Sequence, residues 1–193
     1  MSSHSRPFAR GLLLASLLAL VAAGSASAAT PQQQLPTGTE LGSRWHSDSS
    51  HTIDPAKSQS IPAQFRAQVA SAMSRGYSRH PKGAERQTLG LTVYVMTDAN
   101  AALGYWSELN NGFQSTLAGL HPMAFPAVGE QSVARRFPYT YSGKGRYRAN
   151  EVAFVIGPVV ARVFLDQRGP HYPTLAATKA VAERFAAQIT ANP

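Results

Sequence analysis

Apolar side chains recur at every fourth position after residue 60, in a stripe made of Ile61, Phe65, Val69 and Met73. That spacing is typical of one face of an amphipathic helix. Ser60 can cap the first turn, and Pro62 fits within it because a proline there loses no hydrogen bond. Gly76 suits the left-handed position just after a helix end. The pattern predicts a helix over about 60–76.

A different pattern follows in LGLTVYVMT, residues 89–97, where β-branched and aromatic residues dominate. Such a composition predicts a β-strand. Asp98 comes next and is a favourable helix N-cap. We therefore expect a second helix after Asp98, with Leu103, Trp106 and Leu109 facing inward. The sequence NNG at residues 110–112 should break this helix or weaken its end.

The C-terminal half predicts three consecutive antiparallel strands. Residues 131–141 alternate imperfectly in polarity, and SGKG at residues 142–145 is typical of a tight turn. A second strand runs to Ile156, and the turn Gly157-Pro158 leads into the third. Apolar residues on both parities of 152–156 indicate a strand covered on both faces. Pro138 predicts that the first strand lies at an edge or contains a bulge, because proline cannot donate to a ladder.

The chain closes with a predicted helix over about 174–189, whose stripe consists of Leu175, Thr178, Val181, Phe185 and Ile189. The predicted order of elements is therefore α-β-α-β-β-β-α. We interpret residues 59–193 as a single α+β domain, an antiparallel sheet of about four strands with helices packed on it.

The first 28 residues have the three parts of a secretory signal peptide. Arg6 and Arg10 precede the apolar run 11–24, and the small-x-small pattern ASA follows at residues 26–28. A membrane span needs about 20 apolar residues, so we interpret this shorter run as a cleaved signal. Residues 29–58 are polar without periodicity and predict a flexible lead-in. We expect a secreted or periplasmic protein with no transmembrane segment in its mature form.

The chain contains no cysteine. This excludes disulfides, thiol catalysis, cysteine-based metal sites and a lipidated N-terminal cysteine. An exported domain without disulfides must be stabilised by its own core, and about 165 residues are enough to form one.

The charge is concentrated in two segments. Without the signal peptide, sixteen Lys and Arg remain against ten Asp and Glu. Residues 135–148 (RRFPYTYSGKGRYR) hold five of these cations and no acid, and residues 75–86 hold four cations and one acid. The rest of the mature chain has seven cations and nine acids. Clustered charge of this kind bears on binding partners rather than on fold.

Several short stretches together resemble exported bacterial α+β domains, which include lipoproteins and sensor-like modules without an assigned activity. They are GYSR at 76–79, LTVYVMTDANAA at 91–102, AVGEQSVA at 127–134 and EVAFVIGPVVARVF at 151–164. The resemblance covers about residues 60–190. The lipobox cysteine is absent here, and Glu130 stands where an Asp is usual. The resemblance implies a noncatalytic envelope or ligand-sensing module and assigns no functional residues.

The leading functional hypothesis is an anion-binding surface on the basic hairpin. Cations would neutralise the anion while tyrosines stack on it or donate hydrogen bonds, as in other basic grooves with aromatic side chains. The candidate residues are Arg79, Lys82, Arg135, Arg136, Tyr139, Tyr141, Lys144, Arg146, Tyr147 and Arg148. We expect anionic lipid, a wall polymer or an acidic glycan as the partner, and nucleic acid least. The alternative interpretation is that the charges only keep an edge strand from pairing with other chains.

Strand pairing decides whether the two basic segments meet. If strand 89–97 pairs antiparallel with strand 131–141, residues 75–86 lie beside the hairpin tip and form one surface with it. If that pairing is parallel, as a helical crossover allows, the two segments lie at opposite ends of the sheet.

Two other classes of function stay open. A pocket between the sheet and the helices would make the protein a carrier of a small molecule or lipid. A hydrolase is the third candidate, although the chain has no G-x-S-x-G elbow, and we do not expect an enzyme or a cofactor. His46, Asp48 and His51 could ligate a metal, but their spacing matches no structural zinc site. Glu130 and Glu151 are expected to pair with nearby arginines.

Overall fold

A computed structural model describes residues 29–42, 44–83, 85–114, 119–141 and 145–193. The predicted signal peptide, residues 1–28, lies outside them. The helices are α1 (Pro31–Gln34), α2 (Ala99–Gln114) and α3 (Leu175–Ala191), with a 3₁₀ helix at Ala63–Gln68. The strands are β1 (His46–Ile53), β2 (Val69–Arg79), β3 (Gln87–Met96), β4 (His121–Pro122), β5 (Gln131–Tyr141), β6 (Gly145–Ile156) and β7 (Val159–Arg168).

The strands form one antiparallel sheet of seven strands in the order β1-β2-β3-β7-β6-β5-β4. The predicted sheet of about four strands with helices packed on it is therefore wrong, because the molecule is mostly sheet. The predicted helix over 60–76 is also wrong, since the 3₁₀ helix and then β2 occupy that segment. The apolar stripe does not form one face of a strand either. Within β2, Val69 packs with Tyr94 on one side of the sheet and Met73 packs in the main core on the other, because the ladder is irregular between Val69 and Ser71.

The predicted flexible lead-in is part of the folded body. It supplies α1 and the edge strand β1, which pairs with β2. Leu35, Leu41 and Trp45 are buried in the main core, each no more than 5% exposed. The polar sequence of β1 is explained by its position, because every residue from His46 to Thr52 is exposed at the edge of the sheet.

One face of the sheet, called here the α3 face, is covered by α3 and the N-terminal segment. Leu91, Val163 and Phe154 lie beneath them, and Phe154 meets Phe185 of α3 edge to face at 5.7 Å between ring centroids. The α2 face is covered by α2 and the 3₁₀ helix over one half only. Tyr94 lies there against Tyr105 of α2. The predicted burial of 152–156 on both parities is confirmed for Val152 to Val155.

The predicted meander is confirmed as β5-β6-β7. Pro138 lies on β5, whose outer edge pairs with the short β4 at Arg135 and Arg136. The helix after Asp98 is confirmed, and the Asp98 carboxylate accepts from the Ala101 amide at 2.8 Å. It continues through Gly112 to its end at Gln114, so the predicted break is wrong.

The predicted inward face of α2 is confirmed for Trp106 and Leu109, which are partly buried against the core, and is wrong for Leu103. Leu103 is 40% exposed, whereas Ala102, Tyr105 and Phe113 are fully buried. The C-terminal helix is confirmed as α3, capped by the Thr174 side chain. Its predicted stripe is buried except for Leu175, which is 46% exposed.

Candidate functional site

Both predicted basic segments lie at one end of the sheet, although by neither of the anticipated pairings. β3 pairs with β7, and β5 pairs with β6 and β4. In this register Arg79 lies opposite Gln87, Gln87 opposite Gln167, and Tyr147 opposite Arg168. Because neighbouring strands alternate in direction, the β2–β3, β5–β6 and β7–α3 connections all leave the sheet at this end. We call it the basic end.

On the α3 face the basic end carries a continuous polar row across four strands, made of Arg79, Gln87, Gln167 and Arg148. Arg79 Nε donates to Gln87 Oε1 at 2.8 Å, and Gln87 Nε2 donates to Gln167 Oε1 at 2.9 Å. Three strand spacings separate the two arginines, or about 14 Å. We call these four residues the basic row, because a cation lies at each end and two neutral amides join them.

Aromatic rings hold the arginines of the basic row. Arg79 lies over Trp45, with 4.3 Å from Cζ to the ring centroid. Burial, and then Arg184 and Arg44, lower the pKa of the Arg79 guanidinium. At the other end, Arg136 and Arg148 both contact the ring of Tyr172, at 5.3 and 5.6 Å.

Tyr172 and Arg168 were not predicted from the sequence to belong to this site. They lie at the end of β7 and in the connection after it, beside the beginning of β6. The predicted meander places them there, but neither residue falls in the two basic segments from which the candidates were chosen.

Strand alternation separates the predicted arginines from the predicted tyrosines. Arg136, Arg146 and Arg148 share the α3 face, whereas Tyr139 and Tyr147 lie on the α2 face, stacked at 5.3 Å. The Tyr139 hydroxyl donates to Asp166, which also accepts from Thr88. Burial, and then the hydrogen bond to Asp166, raise the pKa of Tyr139.

The other predicted residues have different surroundings. Lys82 is exposed between β2 and β3. Lys144 lies outside the described residues, and Tyr141 is described only as the last residue of β5.

Arg135 belongs to a buried ion cluster on the α2 face rather than to the basic end. Its Nε and Nη2 donate to Glu151 Oε2 at 2.8 and 2.7 Å, and Arg162 donates to Glu151 Oε1. The expected pairing of Glu151 with arginines is thus confirmed, with the Glu151 side chain only 3% exposed. Glu130, in contrast, accepts from the backbone amide of Gly157 at 2.7 Å.

Among the described residues, most cations of the basic end have no acidic partner; the exception is Arg86, which lies 3.8 Å from Asp48. All ten acids of the chain lie among the described residues. Five ion pairs form there, and they involve Lys57, Arg86, Arg135, Arg162 and Lys179. Within the described ranges Arg79, Lys82, Arg136, Arg146, Arg148 and Arg168 therefore have no carboxylate within 4.0 Å. Glu85 lines the same depression as Arg146, Arg148 and Arg168, and forms an ion pair with none of them.

A separate pocket of about 310 Å³ opens on the uncovered half of the α2 face. Sheet residues form its floor, with walls from β1 and Ser60, so it is not the predicted pocket between sheet and helices. Its lining includes His51, Ser74, Thr92, Arg162 and Phe164. The pocket is hydroxyl-rich and has a charged cluster at one side. We call it the sheet pocket.

The residues considered for a metal site lie along β1. Asp48 accepts from the Ser78 hydroxyl at 3.0 Å and lies 3.8 Å from Arg86. Throughout the described part of the chain, no group of three or more His, Asp or Glu side chains is arranged to hold a metal ion. None of the described helices combines the length and apolarity needed to cross a membrane.

No protein-family model and no curated protein matches this chain. Its fold is similar to that of the extracellular domain of PknH from Mycobacterium tuberculosis, with a TM-score of 0.57 over 86% of this chain and 98% of that chain. The identity is 8%, so the likeness concerns the fold and transfers no residue roles. At that level it agrees with the resemblance to exported domains.

Proposed function

We propose that the protein is an exported binding module that holds an anionic polymer across the basic end. The polymer would be an acidic glycan or a wall polymer, and the α3 face of the hairpin would contact it through Arg136, Arg146 and Arg148. The likeness in fold to an extracellular domain supports export, as does the signal-peptide pattern of the first 28 residues.

The observation that carries the proposal is that six described cations of this end, Arg79, Lys82, Arg136, Arg146, Arg148 and Arg168, lie more than 4.0 Å from every carboxylate. Cations without partners at three converging connections repel one another, and a bound polyanion relieves that repulsion. The basic row places two cations about 14 Å apart, a distance that a linear polymer can bridge, with the buried Gln87 between them. Tyr172, between two arginines, adds a ring on which a sugar can pack. Charges that only keep an edge strand from pairing with other chains would be needed at the edge alone, whereas the basic row crosses the middle strands of the sheet.

The test compares two variants that lose the same charge. Arg146→Ser/Arg148→Ser removes two cations from the basic end, and Lys57→Ser/Lys179→Ser removes two paired cations elsewhere. Binding of the chain from Ala29 to polygalacturonate is measured over a range of salt concentrations. The first variant should lose about 2 kcal/mol of binding free energy, or about thirtyfold in affinity, with a shallower salt dependence.

The control variant should bind like the parent protein apart from a small uniform loss. If both variants weaken binding equally, the interaction depends on net charge and the proposed surface is wrong. Vesicles with anionic lipid, measured in the same way, distinguish a bilayer partner from a polymer.

A further inference from the structure

The sheet pocket lies on the face opposite to the basic row and is formed by two neighbouring rows of side chains. One row runs His51, Ser74, Thr92, Arg162 across β1, β2, β3 and β7. The next runs Ser49, Gly76, Gly90, Phe164, Glu151 across β1, β2, β3, β7 and β6. The trough that these rows form opens at Gly90, beside Phe164, whereas the Ser49 hydroxyl occupies the space over Gly76.

Arg162 directs unused hydrogen-bond donors into this trough. Its guanidinium has five N–H groups, and within the described residues it makes one side-chain hydrogen bond, to Glu151. Its side chain is 25% exposed, and none of its nitrogens is both buried and unpaired. The remaining donors therefore face the solvent of the pocket, which Arg162 lines.

The charge of the cluster favours an anion. Glu151 is shared by Arg135 and Arg162, so the three groups carry one excess positive charge. Burial disfavours the charged form of Arg162, but Glu151, Tyr94 and Tyr105 outweigh it, and the pKa of Arg162 is raised. The guanidinium is thus a permanent cation whose fork fits a carboxylate or a phosphate.

The opposite side of the trough offers groups that suit hydroxyls. The Thr92 and Ser74 hydroxyls lie 3.2 Å apart, and Ser60 and His51 line the wall above them. Phe164 contributes an aromatic ring and belongs to a cluster with Phe137 and Tyr139. A volume of about 310 Å³ lies within the range of small-molecule sites.

We infer that the sheet pocket binds a small hydroxylated oxyanion, a molecule with one carboxylate or phosphate beside two or more hydroxyl groups. The oxyanion contacts the free donors of Arg162, and its hydroxyls contact Ser74 and Thr92. This site is independent of the proposed polymer surface, since it uses other residues on the other face of the sheet.

Calorimetric titration of the chain from Ala29 with glucuronate, glucose 1-phosphate and glucose tests the inference. At least one anion should bind tenfold or more tightly than neutral glucose. Preference for glucuronate or glucose 1-phosphate identifies the carboxylate or the phosphate as the natural group. Equal binding of all three, or no binding at millimolar concentration, would overturn the inference.

Gly90→Val, which adds side-chain atoms at the floor of the pocket, distinguishes pocket binding from binding elsewhere. A Cβ at Gly90 meets only Phe164 Cβ, at an ordinary 3.8 Å, and valine favours a strand. The variant should unfold at the same temperature as the parent or higher, yet lose anion binding by tenfold or more. Gly112→Ala, at an open position on α2, is the matched control and should bind normally. Unchanged binding in Gly90→Val would place the anion outside the pocket.

Discussion

At the scale of single residues, the most consequential group is the Glu151 carboxylate. It lies between two guanidiniums, and its side chain is only 3% exposed, whereas those of Arg135 and Arg162 are 17% and 25% exposed. Removing one member of such a cluster leaves the others desolvated without compensation.

We therefore expect Glu151→Gln to lower the free energy of unfolding by about 3 kcal/mol. Glu108→Gln, at an exposed position on α2, should change it by less than about 0.5 kcal/mol. Urea unfolding of the two variants and the parent provides the comparison. Equal stability of both variants would mean that Glu151 is not desolvated in the folded protein.

Tyr77 gives the unfolding free energy a dependence on alkaline pH. Its side chain is buried, its hydroxyl donates to the Pro36 carbonyl, and burial raises its pKa to about 12. The ordinary value is about 10. Folding thus favours the protonated phenol, and this contribution is complete below about pH 10. It is lost as the pH rises towards 12, because the unfolded chain ionises first.

Replacing Tyr77 with Phe should remove that dependence. Between about pH 10 and 12 the free energy of unfolding should fall faster with pH in the parent than in the variant, by up to about 1.4 kcal/mol per pH unit. Tyr77→Phe should also cost about 1 kcal/mol at neutral pH, from the lost hydrogen bond. Urea unfolding at several alkaline pH values measures both effects. Identical slopes in the two proteins would contradict the raised pKa.

At the scale of elements, the N-terminal segment is the largest difference between expectation and structure. We expect Leu41→Ala to destabilise the protein by about 2–5 kcal/mol, as for other buried leucines, because Leu41 is 2% exposed in the main core. Leu103→Ala, at a 40% exposed position on α2, is the control and should have a small effect. Thermal unfolding of both variants measures the two losses of stability. Equal losses would mean that residues 29–58 are a flexible lead-in and not part of the core.

The elements that were predicted correctly have local signals. Asp98 and Thr174 cap their helices with their own side chains, and the β5-β6-β7 meander follows from short turns. The failures involve long-range pairing. β1 has exposed polar residues like those of a loop, and only its ladder with β2 makes it a strand. β2 follows an apolar spacing typical of a helix, and its ladders with β1 and β3 make it a strand.

The candidate surfaces have the same limit. The abundance of cations in 135–148 and their alternation with the tyrosines were visible in the sequence, but which side chains of the two strands share a face follows from the register of β5 with β6. The sheet pocket requires Ser74, Gly90 and Arg162 to lie side by side, although they are far apart along the chain. No local pattern indicates such a meeting.

At the scale of the whole molecule, the basic end joins three connections that are distant in sequence, and a polymer lying on it must contact them together. Hydrogen exchange in the presence of saturating polygalacturonate should therefore slow at the end of β2, the beginning of β6 and the connection after β7. Exchange in α2 should not change, because α2 lies on the other face and contacts the opposite half of the sheet. Protection confined to the hairpin would mean that the basic row does not take part in binding. Protection of α2 would mean that the polymer binds on the α2 face, contrary to the proposal. Because exchange reports all the segments in one experiment, it also separates one continuous surface from two independent basic patches.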